Sequence, residues 1–152
     1  MSGETEFYFY HLESRSLEQV LPTLLERSLE RGWRAVVQAA SKERVEALNT
    51  VLWTYREDSF LPHGAASDGA SDAQPVYLTD EEDNPNNAVV RFLVDGATLE
   101  AAAGYARVVH VFDGRDESAV ARAREAWRGA KEQGFAVSYW QQDGHGRWQQ
   151  KA

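Results

Sequence analysis

The stretch "DESAVARAREAWRGAKEQG" (116–134) sets three cations on a helical repeat. At about 100° per residue, Arg124, Arg128 and Lys131 fall within an arc of roughly 60°, with Val120 and Trp127 along its edge. Two guanidinium groups one turn apart can fork onto carboxylates, and the aromatic edge adds an apolar contact. The pattern fits a socket for an anionic peptide with an apolar end. It also fits a solvated helix face with Trp127 half-buried as core, and spacing leaves both open. Ala119, Ala123, Ala126 and Ala130 line another side and allow close packing on a sheet.

The second conspicuous stretch is "LWTYREDSFLPHGA" (52–65). It has the form of a helix end running into a loop, and loops are normally polar. This one carries Trp53, Tyr55, Phe60, Leu61, Pro62 and His63. Either these residues plug the loop onto a core, or they form a surface aromatic patch of the kind that anchors protein interfaces.

Other chemistry is poorly served. Phosphate binding in an α/β chain needs glycines after the first strand, so that backbone amides can approach the pyrophosphate. "HLESRSLEQ" follows the first strand here, with no glycine, and no G-x-x-x-x-G-K-[ST] occurs. The four histidines, His11, His63, His110 and His145, lack H-x-x-x-H spacing, and there is no cysteine, so no metal is expected. His110 lies in an apolar strand and reads as packed. Asp80, Glu81, Glu82 and Asp83 lack the ligand spacing and central glycine of a calcium loop and read as a solvated turn. No G-x-S-x-G elbow is present. No cofactor is expected.

Charge narrows the partners. Asp and Glu number 24 against 16 Lys and Arg, a net of −8. Such a surface repels a phosphate backbone, so an anionic partner must meet a local basic patch. Direct binding of single-stranded DNA through Trp127 and the arginines is disfavoured on the same ground. A small α/β enzyme holding a phosphorylated substrate on Arg124 and Arg128 is the rival reading, but that helix offers no base.

The elements that position these residues alternate. "EFYFY" (6–10) is a strand. "SLEQVLPTLLERSLERGW" carries leucines at helical spacing, with Ser16 and Gln19 as a capping box and Gly32 as the stop. Pro22 either lies inside this helix, at a cost of about 3 kcal/mol, or marks a start near Leu21. "RAVVQAA" (34–40) is a strand and Lys42 to Trp53 a helix, with Val45, Leu48 and Leu52 inward. "VYLT" (76–79), "AVVRFLV" (88–94), "RVVHVF" (107–112) and "FAVSYWQ" (135–141) are further strands, and a third long helix runs from about Asp116 to Gln133. Residues 64–74 and 80–87 read as loops, and 142–152 as a hairpin or a loose tail. The expectation is one domain over residues 1–152, a three-layer α/β/α sandwich with a mainly parallel open sheet. The N-terminus lacks a signal peptide's pattern, and no apolar run is long enough to span a bilayer.

Several pieces together resemble the chi subunit family of bacterial DNA polymerase III holoenzyme. They are "FYFYHL", "RGWRAVV", "LWTYREDSFLPHG", "VVHVFDG" and "AREAWRGAKEQGF", in order along almost the whole chain. The resemblance implies a Rossmann-like fold without a nucleotide-binding glycine loop, and no catalysis. It implies a cytoplasmic, bacterial adaptor in DNA replication. Such an adaptor links the clamp loader to the single-stranded-DNA-binding protein by holding that protein's acidic, phenylalanine-ending C-terminal tail. DNA is then contacted only indirectly, and no membrane is involved. Arg124, Trp127 and Arg128 stand at the tail-binding positions, with Val120 beside them. Some relatives have lysine where Val120 stands; this chain lacks that charge, and the resemblance leaves open whether Lys131 replaces it. Trp53, Phe60, Leu61, Pro62 and His63 correspond to the face that meets a psi subunit, the clamp loader or a helicase. A helicase-associated repair adaptor is the related alternative.

Overall fold

Alternating apolar strands and amphipathic helices can bury their faces only by layering. The computed structural model, which describes residues 5–54, 63–65, 71–99 and 104–152, does so around one eight-stranded sheet. The elements are β1 (Glu6–Leu12), α1 (Leu17–Glu30), β2 (Ala35–Gln38), α2 (Lys42–Thr54), β3 (Gly64–Ala65) and β4 (Val76–Thr79). They continue with β5 (Val90–Leu93), β6 (Arg107–Asp113), α3 (Glu117–Glu132), β7 (Ala136–Gln142) and β8 (Trp148–Gln150). The order across the sheet is β3-β4-β2-β5-β6-β1-β7-β8. Every pairing is parallel except that of β7 with β8, so the tail forms a hairpin rather than hanging loose.

Strand alternation sorts the side chains between two cores. Tyr8, Tyr10, Val37, Val90, Phe92 and Val109 face α1 and α2. Phe7, Phe9, Val36, Leu93, Val108 and Tyr139 face α3 and the loops beside it. The expected α/β/α sandwich with a mainly parallel open sheet is therefore the observed one.

Pro22 lies inside α1. The Ser16–Gln19 capping box closes the helix start, and Leu21, Leu24 and Leu25 are buried. That burial outweighs the hydrogen bond which the proline ring removes. Gly32 ends the helix at φ +79°, where a side chain would be strained.

One buried residue runs against the apolar reading of residues 88–94. Arg91 is fully buried in β5. It donates to Gln38 Oε1, to the carbonyls of Glu81 and Asp83, and to the Tyr105 hydroxyl at 3.0 Å. The acidic turn after β4 is thus more than a solvated loop. Arg91 holds its carbonyls, and the Asp83 carboxylate accepts from Tyr77 and Thr79.

Candidate functional site

Helix α3 connects β6 to β7 and lies across β1. Asp116 caps it by accepting from the backbone N–H groups of Ser118 and Ala119. Ala123 and Ala130 are buried against the sheet, and Ala119 and Ala126 are half-buried, so the small residues do form the packing side. Close approach on that side turns Arg124, Arg128 and Lys131 outward, and all three are exposed.

Trp127 stands between the packed and charged sides and is half-buried. Its ring meets Phe9 edge-on at 5.6 Å and Tyr139 at 5.8 Å. Such contacts add about 0.5–1.5 kcal/mol each beyond area burial. The Lys131 ammonium lies 5.3 Å from the Trp127 ring centre. Val120, one turn before Arg124, is half-buried. The five residues singled out from the helical repeat thus share one face: an anchored indole, an aliphatic edge and three cations.

The cations are available. Arg128 makes one ion pair, 3.1 Å to Glu125, with both side chains well exposed. An exposed pair of this kind is worth about 0–1 kcal/mol, so a competing carboxylate can replace Glu125 at little cost. No ion pair holds Arg124 among the described residues.

Two strand residues join this face that periodicity along α3 does not reveal. Tyr139 of β7 packs on Trp127, and its hydroxyl lies 2.6 Å from His11 Nδ1. The other nitrogen of His11 lies 3.0 Å from Glu13. Burial pushes the Tyr139 hydroxyl pKa up, and the nearby Arg124 charge pulls it the other way. The one sequence signal for Tyr139 is its position in the alternating run "FAVSYWQ".

The second face is partly described. Trp53, in the last turn of α2, is 55% exposed, large for a tryptophan. His63 is buried, and its ring lies 4.6 Å from that of Trp53. Phe60, Leu61 and Pro62 fall outside the described residues.

The carboxyl ends of the parallel strands border a cavity of about 480 Å³, where α/β proteins commonly place ligands. The two helix starts that border this cavity are closed by their own side chains, Ser16 on α1 and Asp116 on α3. An incoming phosphate would have to displace them. His110 borders the same cavity, with its ring stacked 4.7 Å from Phe9. Burial lowers its pKa to about 4, so the imidazole is neutral at pH 7. Among the described residues, no group of three His, Asp or Glu side chains is placed to hold a metal ion. No described helix is long and apolar enough to cross a membrane.

Comparison with known proteins bears on most of the chain. The family model described as DNA polymerase III chi subunit, HolC, matches residues 5–138. A curated relative from Rickettsia prowazekii (strain Madrid E), named probable DNA polymerase III subunit chi, is 30% identical over 107 residues. That match covers 70% of this chain and 65% of the relative.

Proposed function

Since the chain belongs to the DNA polymerase III chi subunit family, we propose that it is a non-catalytic accessory subunit of the bacterial replicative polymerase. It bridges the clamp loader to the single-stranded-DNA-binding protein by holding that protein's acidic C-terminal tail. The observation that carries this reading is the α3 face, where exposed Arg124, Arg128 and Lys131 flank the anchored ring of Trp127.

The mechanism uses ordinary forces. Aspartates of the tail approach the local positive strip on an otherwise acidic molecule. A guanidinium forks onto the terminal carboxylate while the last aromatic side chain enters the edge between Val120 and Trp127. Exposed ion pairs are individually weak, and salt screens them over about 8–10 Å. Many tails on one coated strand raise the effective concentration and compensate for modest single-site affinity.

Exposed Trp53 supports a second docking face for a psi subunit, the clamp loader or a helicase. The test of the main reading is a calorimetric titration with the last ten residues of the organism's own single-stranded-DNA-binding protein. Binding that needs the terminal phenylalanine is expected. Equal binding of a peptide lacking it would overturn the apolar-edge assignment.

A further inference from the structure

The side chains on the packed side of α3 are small, and they leave room at the carboxyl ends of the strands. Ala119, Ala123 and Ala126 of α3, Leu93 of β5, and His110 and Phe112 of β6 all line the cavity of about 480 Å³ there. That volume lies within the range of about 300–1,000 Å³ usual for small-molecule sites. The walls these six residues make are mostly apolar.

The polar groups at this cavity are unequally committed. Four carboxylates border it, and each already has donors. Glu18 and Asp95 both accept from Arg44, at 2.9 Å. Asp113 accepts from the backbone N–H of Arg115 at 2.9 Å and from its side chain at 3.4 Å. Asp116 caps α3. Arg122 also borders the cavity, and among the described residues no ion pair holds it. Its side chain reaches from α3 to the turn after β5, where a β-carbon on Gly96 would lie 3.5 Å from the guanidinium. Arg15, at the rim, is also without an ion pair, but its side chain lies against Gly146 of the β7–β8 turn. His110 stacks on Phe9, and among the described residues no hydrogen bond reaches its ring nitrogens. A neutral imidazole there offers one N–H and one lone pair.

We infer that this cavity binds a small free monocarboxylic acid, with its carboxylate on Arg122 and its apolar body between the alanines of α3 and the rings of His110 and Phe112. A planar guanidinium presents paired N–H groups that match two carboxylate oxygens. Apolar walls with one charged anchor orient such a ligand. The surrounding carboxylates limit its charge. A phosphate dianion would bring a second negative charge among them, and the helix starts that could offset it are capped. An amine would find those same carboxylates already occupied. The inference does not depend on the tail-binding reading, because it uses the alanine side of α3 and none of the residues assigned to the tail.

The test is an NMR titration of the ¹⁵N-labelled full chain with 3-phenylpropionate at pH 7. Saturable shifts are expected at the backbone amides of Gly96, Ala97, Ala119 and Ala123, which border the cavity. A Kd of roughly millimolar order fits a ligand of this size with one charged anchor. 3-Phenylpropanol, the same body without the charge, should bind about tenfold more weakly. Arg122→Ala should cost the acid a similar factor, and Arg122→Lys, which keeps the charge but not the fork, should cost less. Circular dichroism of Arg122→Ala should match the parent's, since the side chain is exposed. Its affinity for the acidic tail peptide should be unchanged. Absence of saturable shifts at those amides overturns the inference. So does equal binding of the alcohol, or parental affinity in Arg122→Ala. Phenyl phosphate binding more tightly than the acid would overturn the limit to a single charge. A tail peptide that displaces the acid and loses affinity in Arg122→Ala would make the cavity part of a peptide site, and that too overturns the inference.

Discussion

The amide oxygen of Gln38 in β2 accepts twice from Arg91 in β5, at 2.9 Å from Nε and 2.7 Å from Nη2. The two strands are already neighbours in the sheet, so this fork ties them a second time, through side chains. It also orients the guanidinium so that its remaining N–H groups reach the carbonyls of Glu81 and Asp83. A cation taken wholly out of water is tolerated because acceptors surround it.

Arg91→Met removes the donors and leaves Gln38, Glu81 and Asp83 oxygens unsatisfied. A loss of roughly 3–5 kcal/mol of stability is expected, as for other broken buried networks. Urea unfolding at pH 7 reads it directly. A midpoint close to the parent's would show that water replaces the guanidinium without penalty.

Arg128→Ala should weaken binding of the acidic tail peptide about fivefold, near ~1 kcal/mol, the upper end for an exposed ion pair. The double variant with Arg124→Ala should lose more, and the remaining affinity should respond less to salt. Unfolding stability should hardly move, because both side chains are exposed. Calorimetry that finds the parent's affinity in the double variant removes the α3 face from consideration as the tail site.

Trp53→Ala together with Phe60→Ala should abolish capture of a clamp-loader partner or helicase while sparing the tail. Trp53 is more than half exposed, so its truncation should cost the fold little. Pull-downs that lose both activities together would show that the two faces are not independent.

Acid should destabilise the fold through His110. Its pKa is lowered by burial to about 4, against about 6.5 in an unfolded chain. Between those values the unfolded state binds the extra proton, so stability falls as pH drops from 6.5 toward 4. Near pH 4.5 the loss from this one group is about 2–3 kcal/mol. His110→Gln lacks that proton site. Its stability should therefore fall less than the parent's between pH 7 and pH 4.5, as denaturant titrations at the two values can measure. Parallel losses would mean that His110 carries no such linkage.

Local signals were legible where the physics is local. The Ser16–Gln19 box, Gly32 and the spacing of Leu21, Leu24 and Leu25 define α1 within one stretch, and the structure keeps them. The shared face of Arg124, Trp127, Arg128 and Lys131 was also readable, since helical repeat alone fixes it. Pro22 stayed ambiguous because its tolerance depends on tertiary burial. Arg91 escaped notice because an arginine inside an apolar run is satisfied by residues of β2 and of the turn after β4, which no window around it contains. Tyr139 escaped for the same reason: its partners His11 and Trp127 come from two other elements. The two-residue β3 is too short to leave a periodic pattern.

The order of the strands carries a geometric consequence. Helix α2, which ends on Trp53, rests on β3 and β4, whereas α3 rests on β6, β1 and β7 from the reverse side. From β4 to β1 the sheet takes four steps, each about 4.8 Å, so roughly 19 Å of hydrogen-bonded backbone separates the two supports. Bodies seated on those supports would be kept clear of each other by a stiff spacer. Occupying one would neither crowd out nor reshape the other, and the chain would behave as a coupling of fixed length, with two ends that fill independently.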